Sequence, residues 1–304
     1  MYAVIVNPIA GNGKALAIYE QIKGNPHLKQ NTRFYISEYK GHITKMIKEM
    51  EDMKQAPRLL FVIGGDGTMH EVANALENKN IKIVYIPGGS GNDFSRGINI
   101  NTDTDQIVED AIRNEKEAMY SLSSYETDRN GQQYFINCFG VGFDAVVTKS
   151  AGTLRIRKLL HKLRLNSLVY VFALLRELFS YQAIKVRAII DGEEKHFQKV
   201  LFLSVNNQPY MGGGMKINPD AINNKDEFSI IVVDSIPKWK VLFLFGTVFF
   251  GKHINFKNVQ IFKAKEVIIE GEDYLPFQVD GEYSELKHAI VKKSPSSLWI
   301  KGIK

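Results

Sequence analysis

The chain of 304 residues lacks the features typical of disulfide-rich, zinc-binding or secreted proteins. Its one cysteine, Cys138, excludes a disulfide framework within the chain and any cysteine-rich zinc site, so we expect a core thiol. None of the seven histidines forms an H-x-x-x-H pair, and His70 is expected as a polar position on a helix. The sequence starts without an apolar signal-peptide segment, which predicts a cytoplasmic protein.

Glycine-rich segments that follow apolar runs are the most informative feature that is present. Leu59 to Ile63 predicts a buried strand, which leads into Gly64-Gly65-Asp66-Gly67-Thr68 and then a helix. Ile81 to Ile86 predicts another strand, followed by a second glycine-rich segment from Pro87 to Phe94. Glycines let the backbone approach a ligand, and helix N-termini attract anionic oxygens. The pattern predicts a phosphate site at the carboxyl ends of neighbouring parallel strands.

Asp66 stands inside the first of these segments, where its charge would repel a phosphate. The repulsion is relieved if Asp66 holds Mg²⁺, directly or through water, or orients a nucleotide group. Asp93 in the second segment is expected to contribute to the same nucleotide-bound metal. The alternative for Asp66 is an ordinary helix cap.

A third segment opens the chain. Tyr2 to Val6 predicts a strand that runs into Asn7-Pro8-Ile9-Ala10-Gly11 and then a helix from Lys14. The spacing excludes a P-loop, because G-x-x-x-x-G-K-S/T is absent, and it also excludes a dinucleotide fingerprint.

These motifs, with Val279-Asp280-Gly281-Glu282 near the C-terminus, resemble the diacylglycerol kinase catalytic-domain family over nearly the whole chain. That family includes bacterial soluble lipid kinases and sphingosine and ceramide kinases, and is more distantly similar to NAD kinases. The resemblance implies that ATP and Mg²⁺ bind in a cleft between an α/β domain and a β-rich domain. It also implies that the chain phosphorylates a lipid hydroxyl, with diacylglycerol as the first choice.

The resemblance assigns the catalytic base to Glu282, with Asp280 beside it and Asp66 as a further catalytic residue. A carboxylate that accepts the proton of a weakly nucleophilic hydroxyl suits this chemistry. A hairpin turn at Asp280-Gly281 is the structural interpretation of the same motif, and both can hold. The nucleotide contacts implied are Asn7, Pro8, Ile9, Ala10, Gly11, Ser37, Gly65, Asp66, Gly67, Thr68, Met69, His70, Glu71, Ser90, Asn92 and Asp93.

The order of predicted elements divides the chain into two domains. Strands near 2–6, 33–37, 59–63 and 82–86 alternate with helices near 14–23, 41–54, 68–77 and 103–113, which predicts a doubly wound parallel sheet at 1–122. Strands follow near 134–139, 183–191, 199–206, 228–233, 266–270 and 277–279. We therefore expect a mainly antiparallel, β-sandwich-like domain at 123–304. The resemblance implies that about 289–304 returns to the first domain.

Charge is unevenly distributed, although the net charge is only +6. The sequence from Ala145 to Arg176 has no acidic residue, and it contains Arg155, Arg157, Lys158 and Lys162. This basic segment, together with the basic and aromatic run Lys238–Phe245, predicts peripheral contact with an anionic membrane that presents the lipid substrate. A solvated basic face above a buried helix is the alternative. Nucleic acid is not an expected partner, because no binding motif accompanies the charge.

The chain departs from the family pattern at two places. Tyr120-Ser121-Leu122-Ser123 replaces V-D-x-G, and Lys225 replaces a carboxylate that helps bind a structural cation in bacterial members. An ammonium group cannot coordinate Mg²⁺, so we do not expect that cation site here. The sequence leaves open whether the protein forms a homodimer.

The alternatives to a lipid kinase are phosphorylation of a soluble nucleotide, as by NAD kinases, and a non-catalytic nucleotide- or lipid-sensing module.

Overall fold

The computed structural model describes residues 1–29, 31–51, 57–76, 81–100, 103–113, 117–153 and 175–303. The chain divides into two units, Met1–Leu122 with Pro295–Lys304, and Ser123–Ser294. The first unit is of α/β type and the second is rich in strands, which confirms the predicted fold class.

The first unit is built on a parallel sheet in which apolar strands alternate with helices. Its strands are β1 (Tyr2–Val6), β2 (Thr32–Ile36), β3 (Leu59–Gly64) and β4 (Lys82–Pro87), in the order β4-β3-β1-β2. Its helices are α1 (Lys14–Ile22), α2 (His42–Glu51), α3 (Asp66–Ala75), α4 (Asp93–Gly97) and α5 (Thr104–Arg113).

The central position of β3 explains its sequence. All six of its residues are buried, and it pairs with β1 on one side and β4 on the other. Strands that are covered on both faces are continuously apolar, which is why this run was recognisable without alternation. The carboxyl ends of β1, β3 and β4 therefore lie side by side at one edge of the sheet.

The second unit is dominated by antiparallel pairing. Its first strand continues out of the first unit, and its last strand ends in that unit. The elements are β5 (Glu117–Thr127), β6 (Gln133–Phe135), β7 (Cys138–Gly142), α6 (Phe143–Thr153), β8 (Ile184–Ile190), β9 (Glu193–Asn206), β10 (Phe228–Asp234), α7 (Lys238–Val248), β11 (Val259–Ala264), β12 (Glu266–Val279) and β13 (Glu282–Lys301). The strand order is β11-β10-β9-β7-β12-β13, and β8 pairs with both β9 and β12.

Two apolar clusters form the core of the second unit. One is rich in phenylalanine and includes Phe139 and Phe277, whose rings stack at a centroid distance of 5.4 Å. The other joins strand residues such as Ile231 to one face each of α6 and α7. Cys138 is buried, as expected for a core thiol.

Several predicted boundaries were wrong. The run predicted at 134–139 forms two strands, β6 and β7. The strands are separate because the backbone N–H groups of Ile136 and Asn137 donate hydrogen bonds to the carboxylate of Asp280. The strands predicted at 266–270 and 277–279 are one strand, β12, with a register shift between Glu270 and Leu275. The elements α4, α6, α7, β5 and β11 were not predicted. The sequence predicts only a short terminal strand at 298–300, whereas β13 extends from Glu282 to Lys301.

Candidate functional site

Three glycine-rich loops meet at the carboxyl ends of β1, β3 and β4. The backbone N–H of Asn7 donates to the carbonyl of Ile63 at 3.0 Å, which ties the first loop to the end of β3. The N–H of Gly88 donates to the carbonyl of Gly64 at 2.7 Å, which ties the third loop to the same strand end. The sheet thus brings together the three segments that the sequence predicted at one site.

Glycine is required where these loops touch. A Cβ on Gly89 would overlap the Cα of Gly65, and a Cβ on Gly11 would overlap the carbonyl oxygen of Gly88. Gly11 also has a φ of 60°, a conformation that favours glycine. The glycines therefore serve the packing of loop on loop as well as any approach to a ligand.

Asn7 and Thr68 link the first loop to the start of α3. The side-chain amide Nδ2 of Asn7 donates to Oγ1 of Thr68 at 3.0 Å. Thr68 is buried, and its side chain fills the space beside Gly64, where a Cβ would overlap it. These two side chains hold the loop backbone in place.

Asp66 holds the second and third loops together. One carboxylate oxygen accepts the backbone N–H of Phe94 at 2.9 Å, and the other accepts that of Asp93 at 3.2 Å. Asp66 thereby caps the N-terminus of α4. The two donors lie 27 and 28 residues after Asp66 in the sequence. The sequence pattern predicts a cap within the turn of Asp66 itself, whereas the observed cap is long-range.

The third loop is fixed by its own side chains. Asn92 has a φ of 54°, and its side-chain amide exchanges two hydrogen bonds with the backbone of Gly89. Asp93 is buried, and its Oδ1 accepts a hydrogen bond from Arg96 at 2.9 Å. Burial, followed by the charges of Asp66 and Asp93, raises the pKa of Tyr85 well above its usual value.

The other candidate nucleotide residues divide into exposed and structural positions. Ile9 and Ser90 are exposed, and Pro8, Ala10 and His70 are partly exposed. The side chain of Met69 is fully buried, so only its backbone is available to a ligand.

Ser37 and Glu71 have identifiable structural contacts. Ser37 is buried, and its N–H donates to the carbonyl of Val6 at 2.8 Å. Glu71 accepts the N–H of Thr44, near the start of α2, at 3.2 Å.

The first turn of α3 has features that suit an anionic ligand. A Cβ on Gly67 would meet nothing within 4 Å, so the first turn of α3 is open to a ligand, and a helix N-terminus favours anionic oxygens. Within the described part of the chain, no group of three His, Cys, Asp or Glu side chains could hold a metal. Mg²⁺ that arrives on nucleotide phosphates needs only one or two protein carboxylates.

In the second unit, Asp280 and Gly281 form a tight turn between β12 and β13. Their φ angles are 47° and 92°, and Val279 pairs with Glu282 across the turn, so the hairpin interpretation is confirmed. The carboxylate of Asp280 accepts the N–H groups of Ile136, Asn137 and Cys138 at 2.8 to 3.1 Å. These hydrogen bonds take the place of bonds to a neighbouring strand, so the chain is interrupted here and forms β6 and β7 as separate strands.

Glu282 follows this turn at an exposed position. Gln278 fixes the turn from below, because its Oε1 accepts the N–H of Gly281 at 2.9 Å and its Nε2 donates to Asp144 at 3.2 Å. Burial, followed by the charges of Asp280 and Glu282, raises the pKa of Tyr125 far above its usual value.

Gln278 and Asp144 were not predicted as positioning residues. The only signal was their place beside the motifs, Gln278 just before Val279-Asp280 and Asp144 after a glycine-rich strand. The basic residues Arg155, Arg157, Lys158 and Lys162 lie outside the described residues, so their predicted membrane contact stays a prediction.

Comparison with known proteins covers both units. Residues 1–123 match the model of the diacylglycerol kinase catalytic domain, and residues 137–301 match that of the YegS C-terminal NAD kinase beta sandwich-like domain. The chain is 34% identical to a Bacillus subtilis protein named "Putative lipid kinase YtlR", with 98% of each chain covered. It is 26% identical to the diacylglycerol kinase of Mycobacterium tuberculosis, over 79% of this chain and 75% of that one.

A solved structure shows the same fold. It is described as a putative diacylglycerol kinase from Bacillus anthracis and has a TM-score of 0.75 at 22% sequence identity. The alignment covers 100% of this chain and 97% of that chain.

Proposed function

The chain belongs to the diacylglycerol kinase catalytic-domain family of lipid kinases, and from this premise we propose that it transfers the γ-phosphoryl group of ATP to the hydroxyl of diacylglycerol. The observation that carries the proposal is the meeting of three glycine-rich loops at one edge of the parallel sheet, with α3 beginning beside them. The loops offer backbone N–H groups and little side-chain bulk, which suits a chain of phosphates.

The residues of the first unit act by positioning. Asn7 and Thr68 fix the first loop against α3, and Asp66 fixes the third loop through two backbone N–H groups. We assign the triphosphate to Gly65, Gly67 and the first turn of α3. Mg²⁺, held by Asp66 and Asp93 through the nucleotide, would offset negative charge on the transferred group.

The residue of the second unit that we assign to the chemistry is Glu282. Its carboxylate accepts the proton of the lipid hydroxyl while that oxygen attacks the γ-phosphorus and the bond to the ADP oxygen breaks. The turn that carries Glu282 is held by Asp280 and Gln278 through four hydrogen bonds to backbone N–H groups. A base on a rigid turn is positioned at little entropic cost.

Diacylglycerol is the acceptor best supported by the comparisons. A match to the diacylglycerol kinase catalytic domain covers the first unit, and a diacylglycerol kinase is among the relatives. The relative at 34% identity carries the broader name of lipid kinase, so the test must cover other lipid alcohols as well.

The test is transfer of radiolabel from γ-labelled ATP to a panel of lipids in mixed micelles. The panel contains diacylglycerol, monoacylglycerol, ceramide and sphingosine, with NAD as the soluble control substrate. We expect labelled phosphatidic acid as the main product. Label in NAD and in no lipid would favour the nucleotide-kinase alternative, and nucleotide binding without transfer to any acceptor would favour a non-catalytic module.

A further inference from the structure

Helix α7 presents a second apolar face to solvent. Val241, Leu244 and Val248 form its buried stripe, which packs in the second apolar cluster of that unit. The opposite side presents Trp239 and Phe243 to solvent, 61% and 66% exposed, and their rings contact each other edge to face at 6.3 Å. Large aromatic side chains on a helix are normally packed against the rest of the protein, so the exposure of Trp239 and Phe243 is unusual.

The exposed face continues beyond the helix on both sides. Phe250, two residues after α7, is 76% exposed, and Phe179 is 69% exposed. Phe179 is joined to the start of α7, because Lys238 Nζ donates to its carbonyl at 2.6 Å. We call this set the aromatic surface: Phe179, Trp239, Leu242, Phe243, Phe249 and Phe250. Its five aromatic side chains are each between 43% and 76% exposed. Clusters of exposed apolar side chains mark binding sites on soluble proteins.

Lysines flank the aromatic surface along the sequence. The sequence from Ser235 to Lys265 contains six lysines and no acidic residue. Lys238 and Lys252 are exposed, and Lys240 Nζ lies 5.4 Å from the ring centroid of Trp239. The nearby carboxylate of Glu177 accepts a hydrogen bond from Ser150 and lies 3.5 Å from Arg176, which offsets its charge.

We propose that the aromatic surface docks on an anionic lipid bilayer, with Trp239, Phe243 and Phe250 inserted at the level of the headgroups and Lys238, Lys240 and Lys252 on the lipid phosphates. Lysine beside tryptophan and phenylalanine is the pattern of helices that lie in a membrane interface. In the proposed arrangement α7 lies along the bilayer surface. Within the described ranges, no helix is long and apolar enough to cross a membrane. The proposal rests on the proposed function only for its partner, because a lipid substrate resides in a bilayer.

Tryptophan fluorescence tests the docking directly. The chain has two tryptophans, so Trp299→Phe leaves Trp239 as the only tryptophan whose emission is followed. We expect its emission to shift to shorter wavelength with phosphatidylglycerol vesicles and to be quenched by brominated lipid. Trp239→Phe, which retains Trp299, should show neither change. An unshifted Trp239 in the presence of saturating vesicles would overturn the proposal.

A variant with Trp239→Ser, Phe243→Ser and Phe250→Ser tests the energetic role of the surface. We expect its partition onto phosphatidylglycerol vesicles in co-sedimentation to fall about tenfold or more, since binding scales with inserted apolar area. Tyr274→Ser is the matched control, because Tyr274 is also exposed and has Arg129 and Lys287 over its ring. Both variants keep the basic segment at 155–162.

Three further measurements separate the alternatives. A variant with Lys238→Gln, Lys240→Gln and Lys252→Gln should lose the preference for phosphatidylglycerol over phosphatidylcholine vesicles. An unchanged preference would contradict the proposed contact of these lysines with lipid phosphates. If the aromatic surface instead joins two copies of the chain, light scattering will show a wild-type dimer that the serine variant splits, with vesicle binding unchanged. Vesicle binding by a wild type that phosphorylates no lipid would refute the proposed function and support the surface.

Discussion

At the scale of single residues, the aspartates of the two main motifs hold distant backbone segments in place through hydrogen bonds. Asp66 accepts two backbone N–H groups from the third loop, and Asp280 accepts three from the segment between β6 and β7. A carboxylate that accepts several N–H groups is held firmly and in turn fixes the backbone around it. The expected Mg²⁺ contact of Asp66 would use its remaining lone pairs, so positioning and metal binding are compatible.

Glu282→Gln tests the assigned base. The amide keeps the shape of the side chain and cannot accept the proton, so we expect kcat to fall on the order of 10²-fold or more with ATP affinity unchanged. The measurement is turnover of labelled ATP with diacylglycerol, together with a nucleotide titration. Glu272→Gln is the control, because that carboxylate is 80% exposed on β12 and pairs only with Lys185 at 3.6 Å among the contacts described. Equal turnover by Glu282→Gln and wild type would remove the assignment.

Asp66→Asn tests the link between the loops. The variant loses one acceptor and turns an amide N–H₂ toward a backbone N–H, so we expect a loss of about 1 to 3 kcal/mol in the free energy of unfolding. We also expect weaker use of Mg²⁺-ATP. Denaturant unfolding and the KM for ATP are the measurements. Asp105→Asn is the control, because the carboxylate of Asp105 accepts an exposed hydrogen bond from the side chain of Gln21. Wild-type stability in Asp66→Asn would show that the two bonds contribute nothing.

At the scale of elements, the first unit was predictable and the second only in part. Continuous apolar runs such as Leu59–Gly64 identify buried parallel strands, and the helices between them have helical spacing of apolar residues. In the second unit the limits of β6 and β7 depend on Asp280, about 140 residues away, and no local pattern contains that information. The loop residues of the site were recognisable from motifs, whereas Gln278 and Asp144 have roles that only the tertiary structure defines.

Gly89→Ala tests the packing of the loops. The added Cβ would overlap the backbone Cα of Gly65, and backbone cannot rotate away as a side chain can. We expect the loops to separate, with at least about tenfold loss in kcat/KM for ATP and a lower melting temperature. Gly131→Ala is the control, since a Cβ there would meet nothing within 4 Å and its φ is not in the left-handed region. Similar behaviour of the two alanine variants would show that loop contact is dispensable.

At the scale of the whole molecule, the β-rich unit combines a large apolar core with a few buried polar groups. Asp144 lies in that unit, and among the described residues its Oδ1 has no hydrogen-bond partner. Burial raises the pKa of Asp144 from 3.8 to about 6, although hydrogen bonds from Gln278 and backbone N–H groups act in the opposite direction. The buried carboxylate that supports the Glu282 turn is therefore a source of pH-dependent stability.

Asp144→Asn should change how stability depends on pH. Because the folded-state pKa of Asp144 lies above the unfolded value, its favourable contribution is full below about pH 3.8 and is lost as the pH rises through about 6. Asparagine keeps the shape and carries no charge, so the stability of the variant relative to wild type should increase by up to about 3 kcal/mol between about pH 4 and pH 7. Urea unfolding at four pH values across this window measures the difference. Asp273→Asn, at an exposed position of the same unit, should change stability little at any of these values, and a pH-independent difference for Asp144→Asn would show that Asp144 titrates as it does in the unfolded chain.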